Sequence, residues 1–182
     1  MQAHNIDTEK QWFAMRDLKR ANALLPAYKQ LTEAGMEVFT PMTTRFTVKN
    51  GKRVRIIVPA MRDLLFVNES RENLDPIVAK TPTLQYRFKR GGKQGEPIII
   101  PADDMARFIG AVQASANPKF YTAEELTPLL CGHKIRMIGG PLDGYEGILQ
   151  TIRGSKTKHL IITLPSLLAV SIDINDEFVE VL

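Results

Sequence analysis

Two residues of the sequence, Cys131 and His133, have side chains that bind transition metals, and they stand two positions apart. A protein zinc site needs three or four ligands from the chain. The remaining histidines, His4 and His159, have no further ligand-type residue at a metal-binding spacing. The sequence therefore predicts no metal site, and we expect no cofactor.

The segment GGKQGE at 91–96 has the glycines and the lysine of a phosphate-binding loop. It lacks the GK[ST] ending of such loops, and β-favouring residues flank it on both sides, which predicts a hairpin loop between two strands. No nucleophile, base and orienting acid are spaced as a recognisable catalytic set. The residues themselves therefore indicate no enzymatic chemistry.

The basic residues indicate a different chemistry, the binding of a polyanion. Residues 1–116 contain 18 lysines and arginines against 12 acidic residues, whereas residues 117–182 contain 6 against 8. Because phosphate binding scales with the number of cationic contacts, the N-terminal part is the better candidate for binding nucleic acid. The alternative is the ordinary solvated surface of a soluble domain. The candidate nucleic-acid-binding residues are Arg16, Lys19, Arg20, Lys52, Arg53 and Arg55.

The composition is that of a globular protein, because 44% of the 182 residues are hydrophobic and 24% are charged. Apolar runs such as 98–100 are far shorter than the roughly 18 residues of a membrane span, and the first residues form no apolar signal segment. The single cysteine excludes an intramolecular disulfide framework. We therefore expect a cytoplasmic protein.

Strands and helices alternate along the first 116 residues. The elements predicted from apolar periodicity, caps and turn residues are strands at 11–18, 36–41, 63–68, 84–89 and 96–100, a hairpin at 46–58, and helices at 20–34, 71–80 and 102–114. Pro26 predicts that the first helix starts near Leu25 or is kinked there. Asn50 and Gly51 supply the hairpin turn, and Ser70 can cap the second helix.

The stretch 134–163 combines short alternating strands with glycine-rich turns. Gly139, Gly140 and Gly144 supply the conformational freedom that tight turns need. Gly147 stands between two strand-like runs, which indicates a bulge or a close backbone approach in a small five-stranded barrel. We therefore predict an α+β protein: an α/β sandwich with a mainly antiparallel sheet at 1–116, a linker at 117–130, and a small β-barrel at 131–182.

These two parts resemble the two domains of NusG-like transcription factors. The barrel resembles the KOW motif at Gly140, Pro141, Leu142, Gly144 and Gly147. The N-terminal part resembles the NGN domain at Trp12, Phe13 and Arg20, in VFTPM at 38–42, in GKR at 51–53, in LLFV at 64–67 and in EPIIIP at 96–101. The Pro-Met ending of the second strand, the basic hairpin and LLFV are similar to the specialised RfaH and UpxY paralogues. The chain departs from the family at 61–64, where Met-Arg-Asp-Leu replaces the usual Pro-Gly-Tyr or Pro-Asn-Tyr.

The resemblance implies a non-enzymatic factor that binds RNA polymerase during elongation and suppresses pausing or termination, and the likeness to the RfaH and UpxY paralogues implies a polysaccharide operon. The NGN domain would bind the clamp coiled coil of the largest subunit through an apolar patch. The residues that alternate along two strands and would form this patch are Leu64, Phe66, Tyr86 and Phe88. The alternative is that all four are core residues. The six basic residues would face the displaced non-template DNA or nearby polymerase loops.

The KOW barrel would recruit a second partner, a ribosomal protein or Rho, through an apolar loop tip at Pro165, Leu167 and Leu168. The alternative is that the two leucines begin a core strand. An alternative function is that of a ribosome-associated or RNA-binding KOW protein, against which the acidic balance of residues 117–182 counts. A third alternative is an NGN fold retained only as a protein-interaction scaffold.

Overall fold

The computed structural model describes residues 8–19, 24–89, 91, 95–126, 132–151, 157–174 and 178–182. The chain divides into two compact units, the first ending at Ala102 and the second beginning at Asp103. Each unit contains its own antiparallel sheet. The α+β fold class predicted from the sequence is confirmed.

The first unit is built on a sheet in the strand order β2-β5-β1-β6, with β7 pairing beside β6 on β1. Its described elements are β1 (Gln11–Asp17), α1 (Ala27–Glu33), β2 (Glu37–Phe39), β3 (Met42–Lys49), β4 (Lys52–Pro59), β5 (Leu64–Glu69), α2 (Arg71–Lys80), β6 (Leu84–Tyr86) and β7 (Ile99–Ile100). β3 and β4 form a separate two-stranded hairpin. The predicted elements are present, but the hairpin begins four residues earlier than expected, and the strands predicted at 84–89 and 96–100 are shorter, at Leu84–Tyr86 and Ile99–Ile100.

One face of the main sheet packs against α1 and α2, and we call it the helix face. It buries Phe13, Met15, Leu65, Val67 and Leu84 against Ala27, Leu31 and Leu74 of the two helices. Met15 is paired with Leu65 on one side and with Tyr86 on the other, and paired residues point to the same face. The opposite face carries the next residues along each strand, so that Ala14 is paired with Phe66 there.

Asp17 joins the end of β1 to the start of α1. Its Oδ2 accepts a 2.7 Å hydrogen bond from the backbone N–H of Ala27, and its Oδ1 accepts a 2.9 Å bond from that of Lys19. Pro26 occupies the N-cap position of α1 and supplies no side-chain cap of its own. The buried Asp17 therefore satisfies a helix N–H that would otherwise lack a partner. The helix begins at Ala27, directly after the proline and two residues beyond the predicted start near Leu25.

The junction of β5 and α2 holds a buried carboxylate. Ser70 caps α2 as predicted, because its Oγ accepts a 3.3 Å hydrogen bond from the backbone N–H of Asn73. Glu69 is buried and accepts hydrogen bonds from the backbone N–H of Ser70 at 2.9 Å, from Asn73 Nδ2 at 3.2 Å and from Lys10 Nζ at 3.2 Å. The bond from the Ser70 N–H, aided by those from Asn73 and Lys10, lowers the pKa of Glu69 below its ordinary value.

The second unit is a six-stranded antiparallel sheet in the order β13-β9-β10-β11-β12-β8. Its described elements are α3 (Ala102–Ala114), β8 (Lys119–Thr122), α4 (Ala123–Leu126), β9 (His133–Ile138), a short 3-10 helix (Gly140–Leu142), β10 (Glu146–Thr151), β11 (Lys158–Leu164), β12 (Leu168–Ile174) and β13 (Phe178–Val181). The order of the last five strands is that of a small SH3-like barrel, as predicted. The ring centroids of Phe108 on α3 and Phe120 on β8 are 6.5 Å apart.

The predicted linker at 117–130 is wrong for the residues that the structure describes there. Residues 119–122 form β8, which pairs with β12 from Leu168 to Ser171, and α4 follows directly. Leu126 of α4 is buried in a cluster with Ile161 and Ala169 of the barrel. The compact units likewise divide after Ala102, earlier than the boundary predicted at 116.

The glycines of the barrel adopt the turn conformations and the close backbone approach that were predicted for them. Gly139, Gly140 and Gly144 have φ values of 79°, 70° and 76°, in the left-handed region that side chains disfavour. At Gly147 the backbone of β10 approaches that of its neighbour β11 closely. A Cβ atom built on Gly147 would stand 2.4 Å from the carbonyl oxygen of Ile161. The close backbone approach predicted at Gly147 is confirmed.

Candidate functional surfaces

The hairpin of β3 and β4 presents two sides with different chemistry. Asn50 and Gly51 have φ values of 50° and 74°, which form the tight turn that an Asn-Gly pair favours. Across the strands Phe46 is paired with Arg55, Val48 with Arg53, and Thr44 with Ile57. Paired residues share a side, and we call the side that carries these six residues the hairpin platform.

The hairpin platform is exposed, although half of its residues are apolar. Phe46, Val48 and Ile57 are 65%, 66% and 71% exposed. The guanidinium carbon of Arg55 lies 5.6 Å from the centroid of the Phe46 ring, within the range of a cation–π interaction. The platform therefore joins an apolar row on β3 to a cationic row on β4.

The charge of the hairpin has one sign only. Residues 38–62 contain six lysines and arginines and no aspartate or glutamate. The ion pairs formed between described residues include none of the hairpin's cations. Lys52, which the sequence grouped with Arg53 and Arg55, is paired with Lys49 and so points to the other side.

Two predicted nucleic-acid residues outside the hairpin have partners within the protein. Arg16 Nε lies 3.2 Å from Asp63 Oδ2, and Arg87 Nη2 lies 2.9 Å from the same oxygen. Burial lowers the pKa of Arg87, although Asp63 opposes this shift. Lys19 Nζ donates to the backbone oxygen of Leu25 at 2.9 Å and to Gln30 Oε1 at 3.1 Å. Arg20 lies outside the described residues.

The predicted apolar patch for a protein partner does not lie on one face of the sheet. Leu64 is paired with Arg16 and Phe66 with Ala14 on the opposite face, whereas Tyr86 is paired with Met15 on the helix face. Leu64 and Phe66 are 3% and 0% exposed, so both are core residues in this structure. Phe88 is 50% exposed and forms an isolated bridge with Pro97, beyond the end of β6. Of the four residues, Phe88 is therefore the one whose ring is open to a partner.

The side chain of Tyr86, on β6, is held in place by contacts with β1 and α2. Its ring meets that of Phe13 edge to face with centroids 5.4 Å apart, and its hydroxyl donates a 2.6 Å hydrogen bond to Asp75 Oδ1 on α2. These contacts explain why half-buried Tyr86 behaves as part of the core. The bridge from Phe88 to Pro97 and a 2.6 Å ion pair between Lys89 and Glu96 close the hairpin around the glycine-rich loop, as predicted.

The predicted apolar loop tip of the barrel is wrong in two of its three residues. Pro165 is exposed, but Leu167 is 8% exposed and Leu168 is fully buried as the first residue of β12. Ser166, with a φ of 62°, turns the chain so that the leucines point inwards. The tip itself therefore consists of Pro165 and Ser166.

The barrel carries a ladder of alternating charges on neighbouring strands. Arg136 on β9 bonds to Glu146 on β10 at 2.8 Å and to Glu180 on β13 at 3.2 Å. The hydrogen bond from Arg136, followed by that from Lys134, lowers the pKa of Glu146. Because each cation here faces a carboxylate, this surface is much less favourable for a polyanion than the hairpin platform.

Sequence reasoning missed the apolar row of the platform. The alternation of Thr44, Phe46 and Val48 carries the signal for this row, whereas the prediction for the hairpin rested on its basic residues alone. Among the described residues, no group of three His, Cys, Asp or Glu side chains is placed to hold a metal ion, and Cys131 lies outside them. None of the helices in the described part of the chain is long and apolar enough to cross a membrane.

Residues 10–109 match the family model described as transcription termination factor nusG, and this range covers more than half of the chain. It includes all seven strands of the first unit. No curated protein matches the chain.

Proposed function

The chain belongs to the NusG family of transcription factors, and from this premise we propose that it is an elongation and antitermination factor that binds RNA polymerase. The family match carries the proposal, because it spans the entire sheet of the first unit. NusG-family factors are non-catalytic, which agrees with the expectation that this protein is not an enzyme. In the proposed role the protein suppresses pausing or termination.

The proposed polymerase contact centres on Phe88. A helical coiled coil is bound through exposed apolar side chains, and Phe88 is half exposed while Ile99, on β7, is 39% exposed. Exposed aromatic residues at the centre of an interface often contribute about 2 kcal/mol or more to binding. Leu64 and Phe66 are buried, and the hydroxyl of Tyr86 is bonded to Asp75, so this contact does not include them.

The finer parts of the proposal rest on the resemblance to the RfaH and UpxY paralogues. The regulated gene would stand in a polysaccharide operon, and the barrel would recruit a ribosomal protein or Rho with the exposed Pro165 at its tip. Non-template DNA would lie near the free cations of the hairpin, Arg53 and Arg55. The ion pair of Arg16 and the hydrogen bonds of Lys19 make these two residues weaker candidates.

Co-purification of the tagged full-length protein tests this function. We expect core RNA polymerase to be retained, and the purified protein to shorten pauses of reconstituted elongation complexes. A matched sample of ribosomes should not be retained. Retention of ribosomes without polymerase would overturn the proposal in favour of the ribosome-associated alternative.

A further inference from the structure

We propose that the edge of β12 is a docking site for an extended segment of a partner protein, and that the chain's own β8 and α4 occupy this site until the partner displaces them. Residues 119–126 form these two elements, and we call them the strap. The inference goes beyond the proposed polymerase contact and does not depend on it, because every residue that it uses lies in the second unit.

The strap binds the barrel through both its backbone and its side chains. β8 pairs with β12 from Leu168 to Ser171 and so adds one strand to the barrel sheet. Leu126 of α4 is buried in a cluster with Ile161 and Ala169, and Tyr121 of β8 packs against the same cluster. The site beneath the strap therefore offers backbone pairing beside an apolar surface, which are the two features with which a sheet edge binds an extended peptide.

Few buried side chains hold the strap in place. Leu126 is 7% exposed, Phe120 and Tyr121 are partly buried, and the remaining residues of the strap are exposed. β8 covers only the first four residues of β12, whereas β11 pairs with all seven from the other side. Because segments with few buried contacts open at a lower free energy than the rest of a fold, we expect the strap to leave β12 before the barrel itself unfolds.

The strap also fixes its own local structure. The backbone N–H of Thr122 donates to Glu125 Oε2 at 2.8 Å, and the backbone N–H of Glu125 donates to Thr122 Oγ1 at 3.3 Å. This reciprocal pair is a capping box, which sets the turn from strand to helix without help from the barrel. The strap therefore acts as a small ligand that is tethered to its own binding site.

The strap shows which partner would fit the site. Such a segment needs an extended run with an aromatic residue in the place of Tyr121 and an aliphatic residue in the place of Leu126. A helix pairs its backbone groups internally and would leave those of β12 unpaired. Leu168–Ser171 and Ile161 include no lysine or arginine that could hold a nucleic acid. The site therefore favours the exposed strand or the extended tail of another protein.

A labelled peptide that copies residues 117–126 tests the site by fluorescence anisotropy with the full-length protein. The wild type should bind it weakly, because the tethered strap competes at a high local concentration. Replacing both Tyr121 and Leu126 of the protein with Ser should release the strap and tighten binding by about tenfold or more, since apparent affinity scales with the fraction of open sites. A peptide with the same two replacements should bind the released protein about fivefold or more weakly.

The strap supplies its own matched control. Lys119 and Glu124 are exposed, so a protein with both changed to Ser should bind the peptide as weakly as the wild type does. In the released protein, bound peptide should slow hydrogen exchange at the amides of Leu168–Ser171. No gain in affinity on release, an equal gain in the control, or slower exchange away from β12 would overturn the site.

Hydrogen exchange of the wild type gives a second test that needs no folded variant. The amides of β8 should exchange about tenfold or more faster than those of β10 and β11. Equal protection would overturn the displacement of the strap. An amphipathic helical peptide of the same length should bind the released protein more weakly than the strap peptide, and tighter binding would overturn the assignment to an extended segment. Because these assays contain no polymerase, a failure of the proposed polymerase binding would appear only in the co-purification.

Discussion

The hydroxyl of Tyr86 donates a 2.6 Å hydrogen bond to the carboxylate of Asp75 and so ties β6 to α2. Arg71 pairs with the same carboxylate at 3.2 Å and lies 6.0 Å from the centre of the tyrosine ring. Burial, followed by the bond to Asp75, raises the pKa of Tyr86 well above its ordinary value of 10.0. The fold therefore favours the neutral form of the side chain.

Tyr86→Phe should lower the free energy of unfolding by about 1.5 kcal/mol at neutral pH, because it removes a hydrogen bond to a charged group. A raised pKa in the folded state stabilises the protein fully below the ordinary value, and this contribution is lost as pH rises through the folded value. Urea unfolding should show a steeper loss above pH 10.0 for the wild type than for Tyr86→Phe. Tyr28→Phe is the control, and identical pH profiles for wild type and Tyr86→Phe would contradict the expectation.

Phe66 and Phe88 should respond differently to replacement by serine. Phe66 is fully buried, so Phe66→Ser should cost about 3 kcal/mol or more and lower the melting temperature by many degrees. Phe88 is half exposed, so Phe88→Ser should leave the melting temperature nearly unchanged and weaken polymerase binding about tenfold or more. Full polymerase binding by Phe88→Ser would remove this residue from the proposed contact.

The carboxylate of Glu69 should make stability sensitive to acid. Its lowered pKa stabilises the fold above the ordinary value of 4.5, and this contribution is lost as pH falls through the lower value of the folded state. Glu69→Gln should therefore show a smaller loss of stability below pH 4.5 than the wild type. The exposed Glu33, changed to Gln, gives the comparison, and an acid profile unaltered by Glu69→Gln would refute the assignment.

Gly147 should tolerate no side chain. In Gly147→Ala the new methyl group would meet the Ile161 carbonyl oxygen at 2.4 Å, which forces β10 and β11 apart and should cost about 2 kcal/mol or more. Gly144→Ala is a matched control, because its site is open and only its φ of 76° is unfavourable, at a cost of about 1 kcal/mol. Thermal unfolding compares the stabilities of Gly147→Ala and Gly144→Ala. A larger loss for Gly144→Ala would be evidence against a close backbone approach at Gly147.

The sequence predicted those features that are set by neighbouring residues. Asn50 and Gly51 require only their own backbone conformation to form a turn, and Ser70 needs only the N–H of Asn73 three residues on. The bounds of α2 and α3 followed from the same local signals. The family resemblance was also correct for residues 10–109, because its motifs recur in order along that range.

The features that the sequence did not predict depend on which strands pair with one another in the sheets. Alternation tells which residues of one strand share a side, but the pairing of Met15 with both Leu65 and Tyr86 decides that Leu64 and Tyr86 point to opposite faces. Likewise, a linker was predicted at 117–130 from local signals, while β8 becomes a strand by pairing with β12, about fifty residues later. From the sequence, Lys19 was predicted to be available to nucleic acid, but in the fold its Nζ donates a 3.1 Å hydrogen bond to Gln30 Oε1.

The strand β8 also closes one flank of the barrel sheet. An uncovered outermost strand offers free N–H and C=O groups to a second molecule, and sheets with such edges tend to aggregate. β8 covers β12 from Leu168 to Ser171 and is itself only four residues long, so it gives another chain little to pair with. A fragment beginning at residue 131 would lack this cover. It should therefore self-associate through β12, whereas a fragment that starts before β8 should stay monomeric in light scattering.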